Sequence, residues 1–115
     1  MRRGEIRIVD FGPALDSEAA RRRPAVIVSN DAANAGAGIT GRGVVVVVPL
    51  TSHTDKILPF QVLAEASDTG LASDSKVQAE HVRSVSVQRV GRPIGVLPFE
   101  LIERLDDALR LHLDL

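Results

Sequence analysis

The chain has no cysteine, tryptophan or tyrosine, and three phenylalanines hold aromatics to 3% of 115 residues. Without cysteine there is neither a disulfide framework nor a thiolate metal site, and a thiol-free chain suits a reducing cytoplasm. So few rings argue against a nucleic-acid binder built mainly on stacking platforms. Long hydrophobic runs are also missing. The longest, Val44 to Leu50, falls far short of the ~20 residues that span a bilayer. No apolar run follows Met1-Arg2-Arg3-Gly4-Glu5, so no secretory signal is expected. His53, His81 and His112 lack metal-ligand spacing, and neither a metal nor a cofactor is expected.

Net charge is also scarce, at −1, but it is unevenly spread. Residues 98–115 carry Glu100, Glu103, Asp106, Asp107 and Asp114 against Arg104 and Arg110, which leaves residues 1–97 net positive. Arg2-Arg3 and Arg21-Arg22-Arg23 concentrate that charge. A local basic groove on a neutral protein is one reading of these clusters, and solvated surface is the other. With 44% hydrophobic residues, the composition fits one globular domain over residues 1–115, with a modest core that dimerisation would help to cover.

The apolar pattern is that of short strands. Glu5 to Phe11, Pro24 to Ser29, Val44 to Leu50, Phe60 to Glu65, Lys76 to Gln78, His81 to Val85 and Ile94 to Val96 each read as one. Thr51 to Pro59 and Ala66 to Ser73 are expected as connections. Pro98 opens the one long helix, with Phe99, Ile102, Leu105, Leu109 and Leu113 spaced to face the core. The fold class that follows is mainly β with a C-terminal α-helix, a small curved sheet or barrel packed on that helix.

Gly36-Ala37-Gly38-Ile39-Thr40-Gly41 matches the dinucleotide fingerprint G-x-G-x-x-G. That chemistry needs a helix opening directly after the glycines, and here a run of valines follows. Asp31 to Ala35 is expected as one helical turn, and Gly36 to Gly43 as a flexible loop.

The stretch Arg23-Pro24-Ala25-Val26-Ile27-Val28-Ser29-Asn30-Asp31 is the most telling. Proline fixes its own φ and pushes Arg23 toward extended geometry, so a permanently charged guanidinium sits at the mouth of a buried strand. A second buried strand ends in Thr51-Ser52. On residue type alone, Arg23 also fits a salt bridge to Glu18 or Asp10, and Thr51 a turn residue.

Taken with Arg2-Arg3-Gly4-Glu5-Ile6, Asp10, Ser17-Glu18 and Asp74-Ser75 through Glu80-His81-Val82-Arg83-Ser84-Val85, these pieces resemble the MazF/PemK family of toxin endoribonucleases. The resemblance runs from Arg3 to the C-terminus. It implies a small SH3-like barrel of the MazF/PemK/CcdB type, found as a homodimer in the bacterial cytoplasm. It also implies a metal-independent cut in single-stranded RNA at a short sequence, leaving 2′,3′-cyclic phosphate (or 3′-phosphate) and 5′-OH ends. A cognate antitoxin with an acidic, partly disordered tail would silence it.

The resemblance places Arg23 and Thr51 at the reacting centre, with Glu18 to orient Arg23 or accept a proton. Ser17, Ser52, His53, Lys56 and His81 are the expected substrate-binding residues, and the Thr51 to Pro59 loop is a candidate lid. His81 stands where many members carry glutamine, either hydrogen-bonding as that amide would or titrating near neutrality. Asp16 and Arg7 also depart from the family pattern, which has glycine and an aromatic there. Arg83 is expected to brace the sheet or dimer seam by pairing with Glu80 or Asp74. The alternative is a non-catalytic toxin on the same fold that, like the related CcdB toxins, binds DNA gyrase.

Overall fold

The computed structural model describes residues 1–12 and 22–115. Seven strands appear: β1 (Glu5–Asp10), β2 (Arg22–Ile27), β3 (Val44–Thr51), β4 (Gln61–Ala64), β5 (Ser75–Gln78), β6 (Arg83–Ser86) and β7 (Val90–Val96). Three α-helices join them: α1 (Asp31–Thr40), the single turn α2 (Ala66–Thr69) and α3 (Phe99–Leu113). The strands pair antiparallel in the order β4-β5-β3-β2-β1-β7, with β6 also on β3. The architecture is the expected one, with the sheet left open between β4 and β7.

β3 organises the sheet. One edge pairs with β2, from Ala25 opposite Pro49 to Ile27 opposite Val47. The other edge is shared, with Val44 to Val47 on β6 and Leu50 and Thr51 on β5. Strand side chains alternate between faces, so this run feeds two cores. Val48 and Leu50 join Ile6, Val26, Val77, Leu101 and Leu105 under α3. Val45 and Val47 join Val9, Ala25, Ile27, Ala37 and Val85 on the other face. Gly4, at φ +96°, lets the chain turn into β1, donating its N–H to Ile27 O and accepting from Leu97 N, both at 2.8 Å.

Two expectations are corrected. The glycine-rich segment is the second half of α1, not a loop. Asn30 caps the helix by accepting from Ala33 N at 2.8 Å, and Gly41 closes it in the left-handed conformation. Asn34, fully buried, donates to Ser29 O and accepts from Ser29 Oγ, while Val46 N donates to that same hydroxyl. This network and Ala37 dock the helix on β3, which outweighs the glycine propensities.

The second correction concerns α3. Leu101, Leu105 and Ala108 are its buried face, with Ile102 and Leu109 partly buried beside them, while Phe99 and Leu113 are exposed. Arg3 pins the helix to the sheet by bonding Asp106 Oδ1 at 2.5 Å and Val28 O at 2.8 Å. Arg3 therefore does not add to a free basic surface.

Two predictions follow from the packing. A Cβ at Gly36 meets nothing within 4 Å, so Gly36→Ala should raise unfolding stability in urea by about 0.5–1 kcal/mol. A loss would mean the segment is not helical. Leu105→Ala, at 1% exposure, should cost about 2–5 kcal/mol, whereas Leu113→Ala, at 48%, should stay within about 1 kcal/mol. Equal losses would refute the assigned helix face.

Candidate active site

Arg23 lies inside β2, which begins two residues earlier than the sequence alone placed it. It shares the strand face of Ala25 and Ile27. Continuing the β2–β3 register two residues past Ala25 and Pro49 brings Arg23 opposite Thr51, on the face of Val45 and Val47. Thr51 is the last residue of β3 and pairs with Lys76 of β5. Val77 points into the core under α3, so Lys76 and Gln78, its neighbours, fall on the face of Arg23 and Thr51. Three strands thus bring polar side chains to one end of the same face.

Arg23 Nη2 donates to Leu50 O at 3.1 Å and to Gln78 Oε1 at 2.8 Å. Half-burial desolvates the guanidinium and pushes its pKa below the ordinary arginine value. The group still carries its charge at neutral pH, since arginine is not deprotonated in proteins. The Asp10 salt bridge open to Arg23 from sequence does not form; Asp10 instead accepts from Gly12 N at 2.8 Å and lies 3.9 Å from Arg89. Thr51 Oγ1 accepts from His53 N at 3.3 Å. That turn-type bond leaves the hydroxyl proton available to a ligand oxygen.

Ser52 and His53 follow Thr51 directly and are exposed. Thr51 and Ser52 line a cleft of about 290 Å³ with Pro24, Leu50, Leu71 and Ile94. Lys56 is exposed, and its carbonyl accepts from Lys76 Nζ at 2.8 Å, so the loop after β3 is tied to β5. Its far end is tied as well. Leu58 N donates to Gln61 Oε1 at 2.9 Å, and Gln61 Nε2 donates to Glu80 Oε2 at 2.6 Å. His81 is exposed in a short 3-10 turn three residues past Gln78. Ser17, Glu18 and Asp16 lie outside the described residues.

Arg83 does not pair with Glu80 or Asp74. Its guanidinium lies over the Phe11 ring, 5.3 Å from the centroid, while Asp74 accepts from Ala66 N at 2.8 Å. Arg7 bonds Glu5 at 2.8 Å and Gly91 O at 2.9 Å, holding the β1–β7 seam. Gln78 escaped the sequence reading because a lone glutamine on a short strand carries no motif. Only the β3–β5 register reveals it. Among the described residues no three His, Asp or Glu side chains converge as metal ligands, and no helix is long and apolar enough to cross a membrane.

Residues 2–113 match the family model described as PemK-like, MazF-like toxin of type II toxin–antitoxin system. The chain is 56% identical to Endoribonuclease MazF9 of Mycobacterium tuberculosis (strain ATCC 25618 / H37Rv), across 100% of this chain and 98% of that protein. It is 28% identical to Endoribonuclease EndoA of Bacillus subtilis (strain 168), across 100% of this chain and 96% of that one. A solved endoribonuclease from a mycobacterial species, in complex with its cognate antitoxin, superposes with a TM-score of 0.76 at 26% identity, covering 100% of this chain and 96% of that chain.

Burial lowers the folded-state pKa of Arg23 below its unfolded value. The cost is therefore present wherever the group is charged, and it is relieved only as pH rises into the strongly alkaline range. Arg23→Met should consequently fold with stability within about 1 kcal/mol of the parent. The difference between the two should stay flat from about pH 6 to pH 9. A large loss in calorimetry would show Arg23 to be a structural ion-pair partner.

Proposed function

The chain belongs to the family of PemK-like, MazF-like toxins of type II toxin–antitoxin systems, and from that premise we propose how it works as an endoribonuclease. The substrate is single-stranded RNA, cut at a short sequence. The 2′-OH attacks the adjacent phosphorus, the 5′-oxygen leaves, and the ends are a 2′,3′-cyclic phosphate (or 3′-phosphate) and a 5′-OH. Because RNA supplies its own nucleophile, the reaction needs no metal-activated water. What it needs is charge stabilisation at the phosphoryl oxygens and proton transfer at the two ester oxygens.

The observation that carries this reading is that Arg23 and Thr51 share one face of neighbouring strands, with the guanidinium met among the described residues by neutral acceptors. Arg23 stabilises charge on the non-bridging oxygens, and Thr51 donates its hydroxyl proton to one of them. Glu18 orients Arg23 or accepts a proton. Ser17, Ser52, His53, Lys56 and His81 bind the RNA around the scissile phosphate, with the loop after Thr51 as a lid. That reading of the loop is supported by its ties at Lys56 and Leu58, which hold it beside the site.

One domain spans residues 1–115 and works as a cytoplasmic homodimer. A cognate antitoxin with an acidic tail covers the face that carries Arg23, Lys76 and Arg83, as charge complementarity favours. The antitoxin bound to the mycobacterial relative supports that partner. No feature of the described residues favours the gyrase-binding alternative.

Purified protein incubated with long single-stranded RNA in EDTA should cut at one short sequence and leave 5′-OH ends. Arg23→Ala and Thr51→Ala should each lose about 10²-fold or more in rate, and a 2′-deoxy residue at the cleavage position should block the cut. Cleavage that survives the deoxy substitution, or full activity in Arg23→Ala, would contradict the mechanism.

A further inference from the structure

The two acceptors that hold Arg23 meet the same nitrogen. Leu50 O and Gln78 Oε1 both bond Nη2. A guanidinium is a rigid plane of five N–H groups, so two bonds at one nitrogen fix the orientation of the plane and with it the direction of the other amino group. The Nε and Nη1 protons meet no acceptor among the described residues, and Nη1, with two protons, is the amino group left for a ligand oxygen. Leu50 O is main chain and is set by β3 itself. Gln78 is the side chain that completes the hold, delivered by the register that places Val77 opposite Leu50.

The chemistry of the acceptor matters as much as its position. A carboxylate at position 78 would bond Arg23 more tightly but would pair its charge. An amide oxygen fixes the plane and leaves the charge for an incoming anion. We propose that Gln78 is a positioning residue for Arg23, orienting the free Nη1 amino group toward the scissile phosphate without adding a negative charge of its own. This rests on the reading of Arg23 as the phosphate-binding group.

The test compares kcat, KM and thermal unfolding of Arg23→Ala, Gln78→Met and Gln78→Glu on one single-stranded RNA carrying the cleavage sequence. Gln78→Met should lower kcat about tenfold and change KM by less than about threefold, because a misdirected guanidinium harms the transition state more than ground-state binding. Gln78→Glu should melt at or above the parent temperature and yet lower kcat further than Gln78→Met. A merely structural glutamine predicts the reverse order, with the stable Gln78→Glu as the more active variant. That order, or wild-type kcat in either Gln78 variant beside an inactive Arg23→Ala, overturns the proposal and leaves the reading of Arg23 standing. Wild-type kcat in Arg23→Ala overturns both. If Gln78→Met does not fold, Gln78→Glu, which keeps a hydrogen-bond acceptor in place, decides alone.

Discussion

β3 is the constraint on which the rest depends. It pairs with β2 along one edge and divides the other between β6 and β5. Its alternating side chains enter a core on each face before the strand ends in Thr51. Val45, Val47, Val48 and Leu50 are almost wholly buried, and burying each such side chain stabilises the fold by roughly 1.5–3 kcal/mol. A one-residue slip would turn each of them to the wrong face. The same register that the cores enforce therefore sets where Thr51, Arg23 and Gln78 meet. The site is precise because the packing beneath it permits no other alignment.

The arginines show how partners, rather than residue type, separate structural charge from chemical charge. Arg3 is tied to Asp106, Arg7 to Glu5 and Arg110 to Asp107. Those charges are met by carboxylates, and the Arg3 pair also joins α3 to the sheet. Arg23 is held as firmly, by a main-chain carbonyl and an amide. It bears the cost of desolvation with no ion pair among the described residues, and a charge held in that way is what a phosphate site requires. Arg83 is a third kind, laid over Phe11 on the same face, where its charge stays open to a polyanion or an acidic peptide.

Much of the fold is legible in the sequence because β-branched runs and punctuating prolines mark strands with little ambiguity. The valine run and the Arg23-Pro24 junction told most. The second half of α1 was not legible. Its glycines suggest a loop, and the Asn34 network that holds it as a helix depends on Ser29 and Val46 lying next to it in space. The face of α3 was misjudged for a related reason. The spacing of Phe99 and Leu113 fits a helical stripe, but the face that packs on the sheet, beside the Arg3–Asp106 bond, is that of Leu101, Leu105 and Ala108. Arg23 and Thr51 could be named from the chain alone, and their opposition across strands could not. Gln78 had no sequence signal at all.

The most direct test of the central claim is a crystal structure of the protein bound to an oligoribonucleotide carrying a single 2′-deoxy residue at the cleavage position. The account predicts the scissile phosphate bonded to Nη1 of Arg23 and to Thr51 Oγ1, with the Nη2 bond to Gln78 retained. A scissile phosphate seated elsewhere, with Arg23 Nη1 still unbound, would contradict it.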